Sequence, residues 1–492
     1  MTKNLGLVSK TNTRRLKMKK FFVLIFLVIL FYGNALATWT RVNSIGVPNW
    51  MIEQDDTLMW INPARTSENT GNLWAEWPAA NVTEGLNGTE LINPWGGISA
   101  ETPYADMALF IGRPYDGFIS LAGTSNLQGL PDSPVSNTNM AFTNPNQKYD
   151  LFLSRRLDNM TLGLRLDHAS FFESESSSDL SSPLSAGNDT RQEDSFKTTD
   201  TRLVLGALKN NIGPIETLDL ALVMRLVNAD NDAKTEEYLT DGGGNDLWVT
   251  TNKYDFGLDA SMSYSLAARG IIPYGESKII SYLQIQRGDS SSKFVRKEGG
   301  TPPGTFTVAD EFQSIKDSTT FLTMGAAVNR NITERTLMIA GLWFDRSKQV
   351  IEEKLENKDP TQTGTMDKEK RETTRTRIPV NLGIETTLSS KASARIGIEK
   401  EISNVILTET NDPQIQWDAG ASRYVEQNVE KSEIRQDNTN QAATVTIGIG
   451  YNIWENLSVD ALMRQQILFT GTYLISGVPE SIAAQITAKL RY

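Results

Sequence analysis

Charged residues recur at every second position in several segments whose other positions are apolar. In the stretch 217–228, for example, Asp219 and Arg225 alternate with leucines such as Leu220. Period-two alternation puts all the charges of a segment on one face of a β-strand. The charges predicted to share such faces are Arg156, Arg165, Arg202, Asp219, Arg225, Asp255, Asp259, Arg377, Glu385, Arg395, Glu399, Asp460 and Arg464. They are suited either to lining a wet passage or to locking an interior through ion pairs.

Catalytic chemistry has little to build on in this sequence. His168 is the single histidine, and the chain has no cysteine. Nucleophilic catalysis needs a nucleophile, a base and usually a third group that orients the base. Ser170 lies two positions from His168, but no orienting group is identifiable. We therefore predict no enzymatic activity, no cofactor and no metal site, and we interpret His168 as an interfacial residue.

The alternating pattern extends over most of the chain. In 442–453, Val445, Ile447 and Ile449 alternate with threonine and glycine. Each such segment spans about ten residues, the length that a tilted strand needs to cross a bilayer. The predicted strands, about 14 in all, lie near 104–112, 148–157, 160–170, 199–209, 217–228, 253–267, 278–287, 319–330, 336–348, 374–388, 392–402, 442–453, 457–469 and 482–492. The alternative is 16 strands, if 73–77 adds one that pairs with a partner upstream.

Long and short connections alternate between these strands. Short turns fall near 157–159, 210–216, 268–276, 331–335, 389–391 and 454–456. Long polar stretches fall near 113–147, 171–198, 229–252, 288–318, 349–373, 403–441 and 470–481. This alternation is typical of outer-membrane barrels, whose long loops are extracellular, and lipid tolerates strands only in a closed barrel. We therefore predict an all-β, transmembrane, antiparallel up-and-down β-barrel over residues 101–492, located in the bacterial outer membrane.

The N-terminal residues indicate export. Basic residues precede an apolar run over 21–32, which ends before Ala35-Leu36-Ala37. This is the pattern of a signal peptide, here 1–37, and the run would span only about 18 Å of a roughly 30 Å hydrocarbon core. Met18 is an alternative start. Residues 38–100 are rich in Trp, Pro, Asn and Gly and do not alternate, so we predict a plug or periplasmic segment there.

The last predicted strand ends on an aromatic residue. Its apolar face carries Ile486, Ala488, Leu490 and Tyr492. This face is similar to the C-terminal signal that outer-membrane barrels present to their insertion machinery, which we expect as a partner together with outer-membrane lipid and lipopolysaccharide. The net charge of −11 makes nucleic acid an unfavourable partner.

One short motif resembles a known family. Residues 55–64 read DDTLMWINPA. This resembles the acidic residues followed by Asn-Pro-Ala in the plug of the long-chain fatty-acid outer-membrane transporter (FadL-like) family, which is a 14-stranded barrel with an N-terminal plug. The resemblance implies that Asn62, Pro63 and Ala64 set the conformation of a plug. It also implies a hydrophobic cargo, yet the apolar positions predicted to face inward are few, chiefly Phe152, Val223, Val227, Phe321 and Trp343.

Three functions are compatible with these features. The leading hypothesis is a porin-like channel for the passive uptake of small solutes, because the predicted inward face is crowded with charge. The first alternative is a FadL-like transporter of hydrophobic compounds. The second is a plugged structural or surface-display barrel without transport, whose long loops make the contacts.

Overall fold

The computed structural model describes residues 39–77, 94–113, 147–179, 189–240, 246–300, 305–306, 311–357, 365–411, 415–418, 423–426, 432–467 and 482–492. The predicted signal peptide and much of the predicted long loops lie outside these residues. Within the described ranges, no helix combines the length and the apolar character needed to cross a membrane.

The described strands form one antiparallel sheet that closes on itself. In chain order they are β1 (Asn72–Trp77), β2 (Trp95–Glu101), β3 (Asp106–Ile111), β4 (Gln147–Leu157), β5 (Met160–Asp179), β6 (Thr190–Ile212), β7 (Ile215–Thr240), β8 (Asp246–Tyr274), β9 (Ser277–Gly300), β10 (Thr305–Phe306), β11 (Glu311–Thr333), β12 (Thr336–Asn357), β13 (Thr365–Thr387), β14 (Ala392–Asn411), β15 (Ile415–Asp418), β16 (Arg423–Glu426), β17 (Ser432–Asn452), β18 (Leu457–Ile467) and β19 (Ile482–Arg491). Each wall strand pairs with its sequence neighbours, and β19 pairs with β1. The short strands β10, β15 and β16 belong to the long-loop side.

The closed wall has 16 strands. This confirms the alternative count, and the additional strands are β1 and β2. We expected the partner of 73–77 to lie upstream, but its partners are β2, which is downstream, and β19. Both additional strands lie within 38–100, so the wall begins before residue 101. The alternating pattern missed β2 because its sequence, WGGISAE, has one glycine on each face, so its outer face carries only Ile98 and Ala100 as apolar side chains.

Several strands are much longer than a membrane crossing requires. β7 has 26 residues and β8 has 29, whereas about 9–11 are enough to cross. The backbone ladder therefore continues past the lipid, into segments that we predicted as loops, such as 229–240. In water neither face of a strand must be apolar, so the alternation that reveals a strand in the sequence stops at the membrane boundary.

The outer face of the wall is an exposed apolar belt. On β7 the side chains of Leu222, Met224 and Leu226 are each about 40–50% exposed, while the residues between them face inward. Other strands add Leu205, Leu266, Leu283, Ile285, Leu342, Ile378, Val380, Leu382, Ile396, Ile398, Ile447 and Ile449. A belt of this extent is stable only in lipid.

Residues 39–69 fill the barrel at its short-turn end, and we call them the plug. The plug consists of α1 (Trp39–Ile45) and three short 3-10 helices, η1 (Asn49–Met51), η2 (Asp56–Trp60) and η3 (Pro63–Glu68). Its position follows from its partners, such as Gly163 near the start of β5 and Gly206 near the end of β6. The predicted plug-like segment is thus confirmed, and it lies inside the lumen.

Candidate functional site: the plug and the inner wall

The wall makes room for the plug with glycines that face inward. A Cβ atom on Gly397 would lie 2.1 Å from the carbonyl oxygen of Ile45 in α1, and one on Gly448 would lie 2.2 Å from Ser44 Cβ. A Cβ atom on Gly383 would lie 2.4 Å from Ile45 Cγ2. A side chain at any of these positions would displace the helix. Strands β13, β14 and β17 therefore form a seat on which α1 lies in backbone contact.

The Asn-Pro-Ala residues occupy a second glycine seat. A Cβ atom on Gly206 would lie 2.1 Å from Asn62 Oδ1, and one on Gly163 would lie 2.1 Å from the backbone nitrogen of Ala64. Asn62 caps η3 by accepting a hydrogen bond from the Ala64 N–H at 3.1 Å, and Pro63 is the first residue of η3. The side-chain amide nitrogen of Asn62 donates to the Ala207 carbonyl of β6 at 2.8 Å. The motif thus both starts a helix and docks it on β5 and β6.

A buried carboxylate on β7 holds the same part of the plug. Asp219 accepts two hydrogen bonds from Arg65 of η3, at 2.7 and 2.8 Å, and one from Arg269 of β8 at 3.0 Å. Asn62 donates to it at 3.0 Å. Arg269 is 1% exposed and also donates to the backbone carbonyl of Trp50 at 2.8 Å. The Asp219 node therefore joins two wall strands to two plug helices in a site without solvent.

A second ionic node lies across the barrel. Arg41 of α1 binds Glu385 of β13 with two hydrogen bonds, at 3.0 and 2.6 Å, and binds Asp55 at 2.7 Å. Burial disfavours the charged form of Arg41, but Glu385 and Asp55 outweigh it and raise the pKa of Arg41 above its ordinary value. Glu385 also pairs with Arg395 at 2.7 Å, and Arg395 reaches Asp460 at 2.5 Å. This chain of charges fixes α1 to β13, β14 and β18.

Aromatic rings make up a third contact, on the side of β1–β4. The ring of Trp60 lies 4.8 Å from that of Phe152 and 5.0 Å from that of Phe110, and meets Trp95 edge-on at 6.5 Å. Trp74 completes this aromatic cluster, and Trp60 itself is only half-buried. The Arg113 guanidinium lies 4.0 Å from the centre of the Trp60 ring. The aromatic cluster is thus an apolar surface inside the barrel, covered by a cation.

A separate apolar contact holds η1 on the wall between β8 and β12. Trp50 stacks on Tyr282 at 5.2 Å and meets Trp343 edge-on at 6.2 Å. Glycines again allow the approach: a Cβ atom on Gly341 would lie 2.8 Å from Met51 Sδ. Together with the nodes above, this contact means that the plug touches wall strands on every side of the barrel.

Further charges on the inner wall pair between neighbouring strands. Asp200 of β6 accepts hydrogen bonds from Arg225 at 2.9–3.1 Å and lies 3.9 Å from Arg202. Asp345 of β12 accepts from Arg377 at 2.6 Å and from the Trp343 indole N–H at 2.9 Å. These groups lie farther from the short turns than the plug does. In both places a carboxylate is thus paired with an arginine of the neighbouring strand.

Most predicted inner-face charges can be located. Asp219, Glu385, Arg395 and Asp460 belong to the two ionic nodes, Arg225 and Arg377 pair between strands, and Arg202 lies near Asp200 on the same strand. Arg165 forms an ion pair with Asp167 at 2.9 Å and donates to the Trp60 carbonyl, Arg156 donates to the Ser67 carbonyl, and Glu399 accepts from Asn381 at 3.1 Å. The side chains of Asp255, Asp259 and Arg464 lie outside the described residues.

His168 and the C-terminal residues lie on the outer face. His168 points away from the lumen, where its Nδ1 is 3.1 Å from the Thr201 hydroxyl and its ring is 5.2 Å from that of Tyr149. Ile486 and Tyr492 are 49% and 58% exposed, whereas Leu490 is buried. The Tyr492 hydroxyl donates to the Ser99 carbonyl at 2.6 Å. Tyr492 thus joins the end of the chain to β2.

Two cavities adjoin the plug and the inner wall. One of 790 Å³ lies at the short-turn end and is lined by plug residues such as Arg41 and Glu53 and by wall residues such as Lys278 and Asp460. The other, of 320 Å³, is lined by polar residues of β7–β12, among them Arg225, Gln286, Asp317, Thr319 and Gln349. Among the described residues, no group of three carboxylate, histidine or cysteine side chains is arranged to hold a metal ion.

Sequence reasoning missed the plug's own charged and aromatic contacts. Arg41, Arg65 and Trp60 received no role, and neither did their wall partners Trp95 and Phe110. The only signal was local: Asp55 and Asp56 were part of the motif that resembles the fatty-acid transporter plug. Nothing in the sequence showed which strands these residues would contact.

The closed wall, its apolar outer belt and its charged, plugged interior decide the class of protein. The chain is an outer-membrane β-barrel. No family model and no curated protein matches the sequence of this barrel.

Several solved structures are similar to the barrel, at low identity. A FadL homologue from Pseudomonas aeruginosa is 11% identical, with 94% of this chain and 99% of that chain covered and a TM-score of 0.38. The toluene transporter TodX from Pseudomonas putida is 9% identical, with 94% and 99% covered and a TM-score of 0.36. The outer membrane protease OmpT from Escherichia coli is 9% identical, with 68% and 97% covered and a TM-score of 0.24. With TM-scores this low, these likenesses say nothing about what the barrel transports.

Proposed function

We propose that this barrel takes up small, largely apolar molecules across the outer membrane, and that the aromatic cluster around Trp60 is where they bind. The observation that supports this is the cluster itself. A barrel in lipid already has its apolar face outside, so rings on the inner face are not needed to seat it in the membrane. Trp74, Trp95, Phe110 and Phe152 are buried, but Trp60 keeps part of its ring accessible at the edge of the cluster. An apolar solute that leaves water can gain by contact with this accessible part.

The paired charges of the inner wall agree with this proposal. A channel that selects polar solutes by charge needs an excess of one sign along its path. At the two groups of charges described above, the excess has opposite signs. Asp200 lies between two arginines, Arg202 and Arg225, whereas Arg41 and Arg395 bind three carboxylates, those of Asp55, Glu385 and Asp460. This departs from our leading hypothesis of a porin-like channel for small solutes and favours the transporter of hydrophobic compounds.

The plug's contacts on every side of the barrel favour a second candidate. A plug held by two ionic nodes, two glycine seats and two apolar contacts would suit a structural or surface-display barrel that carries nothing. Such a barrel would use its long-loop side for contacts. Transport measurements distinguish the two candidates.

The test is uptake by intact cells, because lipopolysaccharide is the barrier that a small apolar molecule must bypass. Radiolabelled toluene is the apolar probe and arabinose is the polar one. We expect expression of the barrel to raise toluene uptake but not arabinose uptake. Loss of the aromatic contacts in Trp60→Ala should lower toluene uptake about threefold to tenfold, from about 0.5–1.5 kcal/mol per aromatic pair.

The matched control is Trp77→Ala, which removes an indole from the outer face of β1, where Trp77 is 50% exposed. It should transport toluene like the unaltered protein. Enhanced arabinose uptake would instead support the porin-like channel. Well-folded barrel that raises uptake of neither probe would support the structural barrel.

A further inference from the structure

The barrel closes at a short seam between its first and last strands. β1 and β19 pair from Asn72 opposite Arg491 to Trp77 opposite Ile486. The ladder on the other side of β1 is also short, since β1 and β2 pair only from Leu73 opposite Ile98 to Glu76 opposite Trp95, whereas β6 and β7 pair from Thr190 opposite Glu237 to Ile212 opposite Ile215. A short ladder of two strands is only marginally stable by itself. The closing seam therefore needs support beyond its backbone hydrogen bonds.

Asp56 of the plug contacts both strands of this seam. Trp74 of β1 and Lys489 of β19 are directly opposite each other in the seam register, and both face inward. The Trp74 indole N–H donates to Asp56 Oδ2 at 2.8 Å, and the Lys489 ammonium donates to the same oxygen at 3.1 Å. The side chains of Asp56 and Lys489 are only 3% and 4% exposed. One buried oxygen thus accepts from both strands at the point where they meet.

Asp56 is itself held in place by the rest of the plug. Asp55 caps η2 by accepting from the Thr57 N–H at 2.9 Å, and it also binds Arg41, which is anchored to Glu385 on β13. The other end of η2 is Trp60, within the aromatic cluster. Because η2 is fixed at both of its ends, the Asp56 carboxylate is held in place as the acceptor for Trp74 and Lys489.

The remaining inward residues of β19 also contact the plug. Thr487 forms a hydrogen bond with Thr40, and Gln485 accepts one from Asn43 at 3.2 Å. Every inward position of the last strand from 485 to 489 is therefore occupied by a plug contact, while its outer positions face lipid. The closing strand β19 is thus bound by the plug as well as by its neighbour strands β1 and β18.

We propose that Asp56 is a positioning residue that staples the barrel shut, so that seating of the plug and closure of the seam between β1 and β19 occur together. The plug immediately precedes β1 in the chain, so it is in place to receive β19 when that strand arrives. A chain without the Asp56 acceptor would leave the seam to its short ladder and assemble poorly. This inference is independent of what the barrel transports.

The test uses a disulfide across the seam. Ala75 and Ala488 are opposite each other on β1 and β19, and antiparallel partners have Cα atoms about 4.5–5.5 Å apart, within the range of a disulfide. The chain has no cysteine of its own, so Ala75→Cys with Ala488→Cys gives a single possible bond. The folded fraction is measured by its heat-dependent mobility in gels. The disulfide is detected by cutting the chain between the two cysteines, because the fragments then stay joined until the bond is reduced.

We expect Asp56→Ala to lower the ratio of folded to unfolded barrel by roughly tenfold or more, because two buried donors lose their shared acceptor. Asp56→Asn keeps an oxygen that can accept both hydrogen bonds and should fold nearly normally. The oxidised seam disulfide should restore folding of Asp56→Ala.

The matched control is Arg65→Ala, which removes a buried plug contact far from the seam. The disulfide should not restore this variant. Normal folding of Asp56→Ala, or failure of the disulfide to restore it, would overturn the proposal. Equal restoration of Arg65→Ala would also overturn it, because the disulfide would then compensate for any loss of plug contact. A disulfide that does not form in the otherwise unaltered barrel would contradict the seam register on which the proposal rests.

Discussion

Loss of the Asp219 carboxylate should release the plug from β7. In Asp219→Ala, the guanidinium groups of Arg65 and Arg269 keep their burial but lose the anion that lies between them. Their side chains are 4% and 1% exposed, so water cannot replace the lost acceptor. Removal of one partner from a buried pair typically costs about 3–5 kcal/mol, because it leaves an uncompensated buried charge.

Arg65 offers an internal control for this magnitude. The same guanidinium also binds Glu68 at 2.9 Å, but the Glu68 side chain is 44% exposed. A solvent-exposed pair contributes about 0–1 kcal/mol. Glu68→Ala removes a partner of the same charge from the same arginine, so the two variants differ in the burial of the lost carboxylate and in the number of donors that it binds.

The assay is equilibrium unfolding of the purified barrel in detergent micelles, with guanidinium chloride as denaturant and tryptophan fluorescence as the signal. We expect a stability loss of about 3–5 kcal/mol for Asp219→Ala and about 0–1 kcal/mol for Glu68→Ala. If the plug detaches before the wall unfolds, Asp219→Ala should show a separate early transition, since Trp50 and Trp60 both lie in the plug. Equal losses in the two variants would refute the reasoning from burial.

Three further predictions concern the glycine seat, the staple and the C-terminus. Gly397→Ala places a Cβ atom 2.1 Å from the Ile45 carbonyl oxygen and should cost about 1–3 kcal/mol in denaturant unfolding, whereas Gly257→Ala, with no atom within 4 Å, should cost less than about 0.5 kcal/mol. Burial raises the pKa of Asp56 to about 7, against the smaller opposing effects of Lys489 and Trp74. The folded state therefore binds a proton that the unfolded state releases, so thermal stability should be greater at pH 5 than at pH 8, and Asp56→Asn should reduce that difference. Tyr492→Ala should lower the yield of folded barrel in cells while Tyr492→Phe does not, and equal yields would contradict an aromatic insertion signal.

The wall was largely predictable because the bilayer imposes a simple rule on each strand. Wherever lipid touches one face, the sequence alternates, and segments such as 217–228 show this clearly. The rule fails in two places for physical reasons. Beyond the membrane the strands lose their apolar face, and in β2 the outer face begins with Gly96, which has no side chain to mark it.

The interior was less predictable because its contacts join residues far apart in the chain. The inward phase of Asp219 can be worked out from its neighbours, but nothing near it indicates Arg65 as its partner. The glycine seats show the same limit. Gly397 and Gly448 are part of an alternating pattern in the sequence, where they look like small residues on an inner face, and only the fold shows that α1 lies against them.

The abundance of inner-face charge at first favours a polar solute, but its arrangement argues against this. Near the short turns, Glu385 and Asp219 each bind arginines from both the plug and the wall, so their charge is used in holding the plug. Farther up the wall, Asp200 and Asp345 are matched by arginines on neighbouring strands. A passing ion would meet closely spaced opposite charges, whose fields largely cancel beyond a few ångströms. Binding of an apolar solute at the aromatic cluster around Trp60 does not depend on these fields, since it is driven by the apolar area that is removed from water.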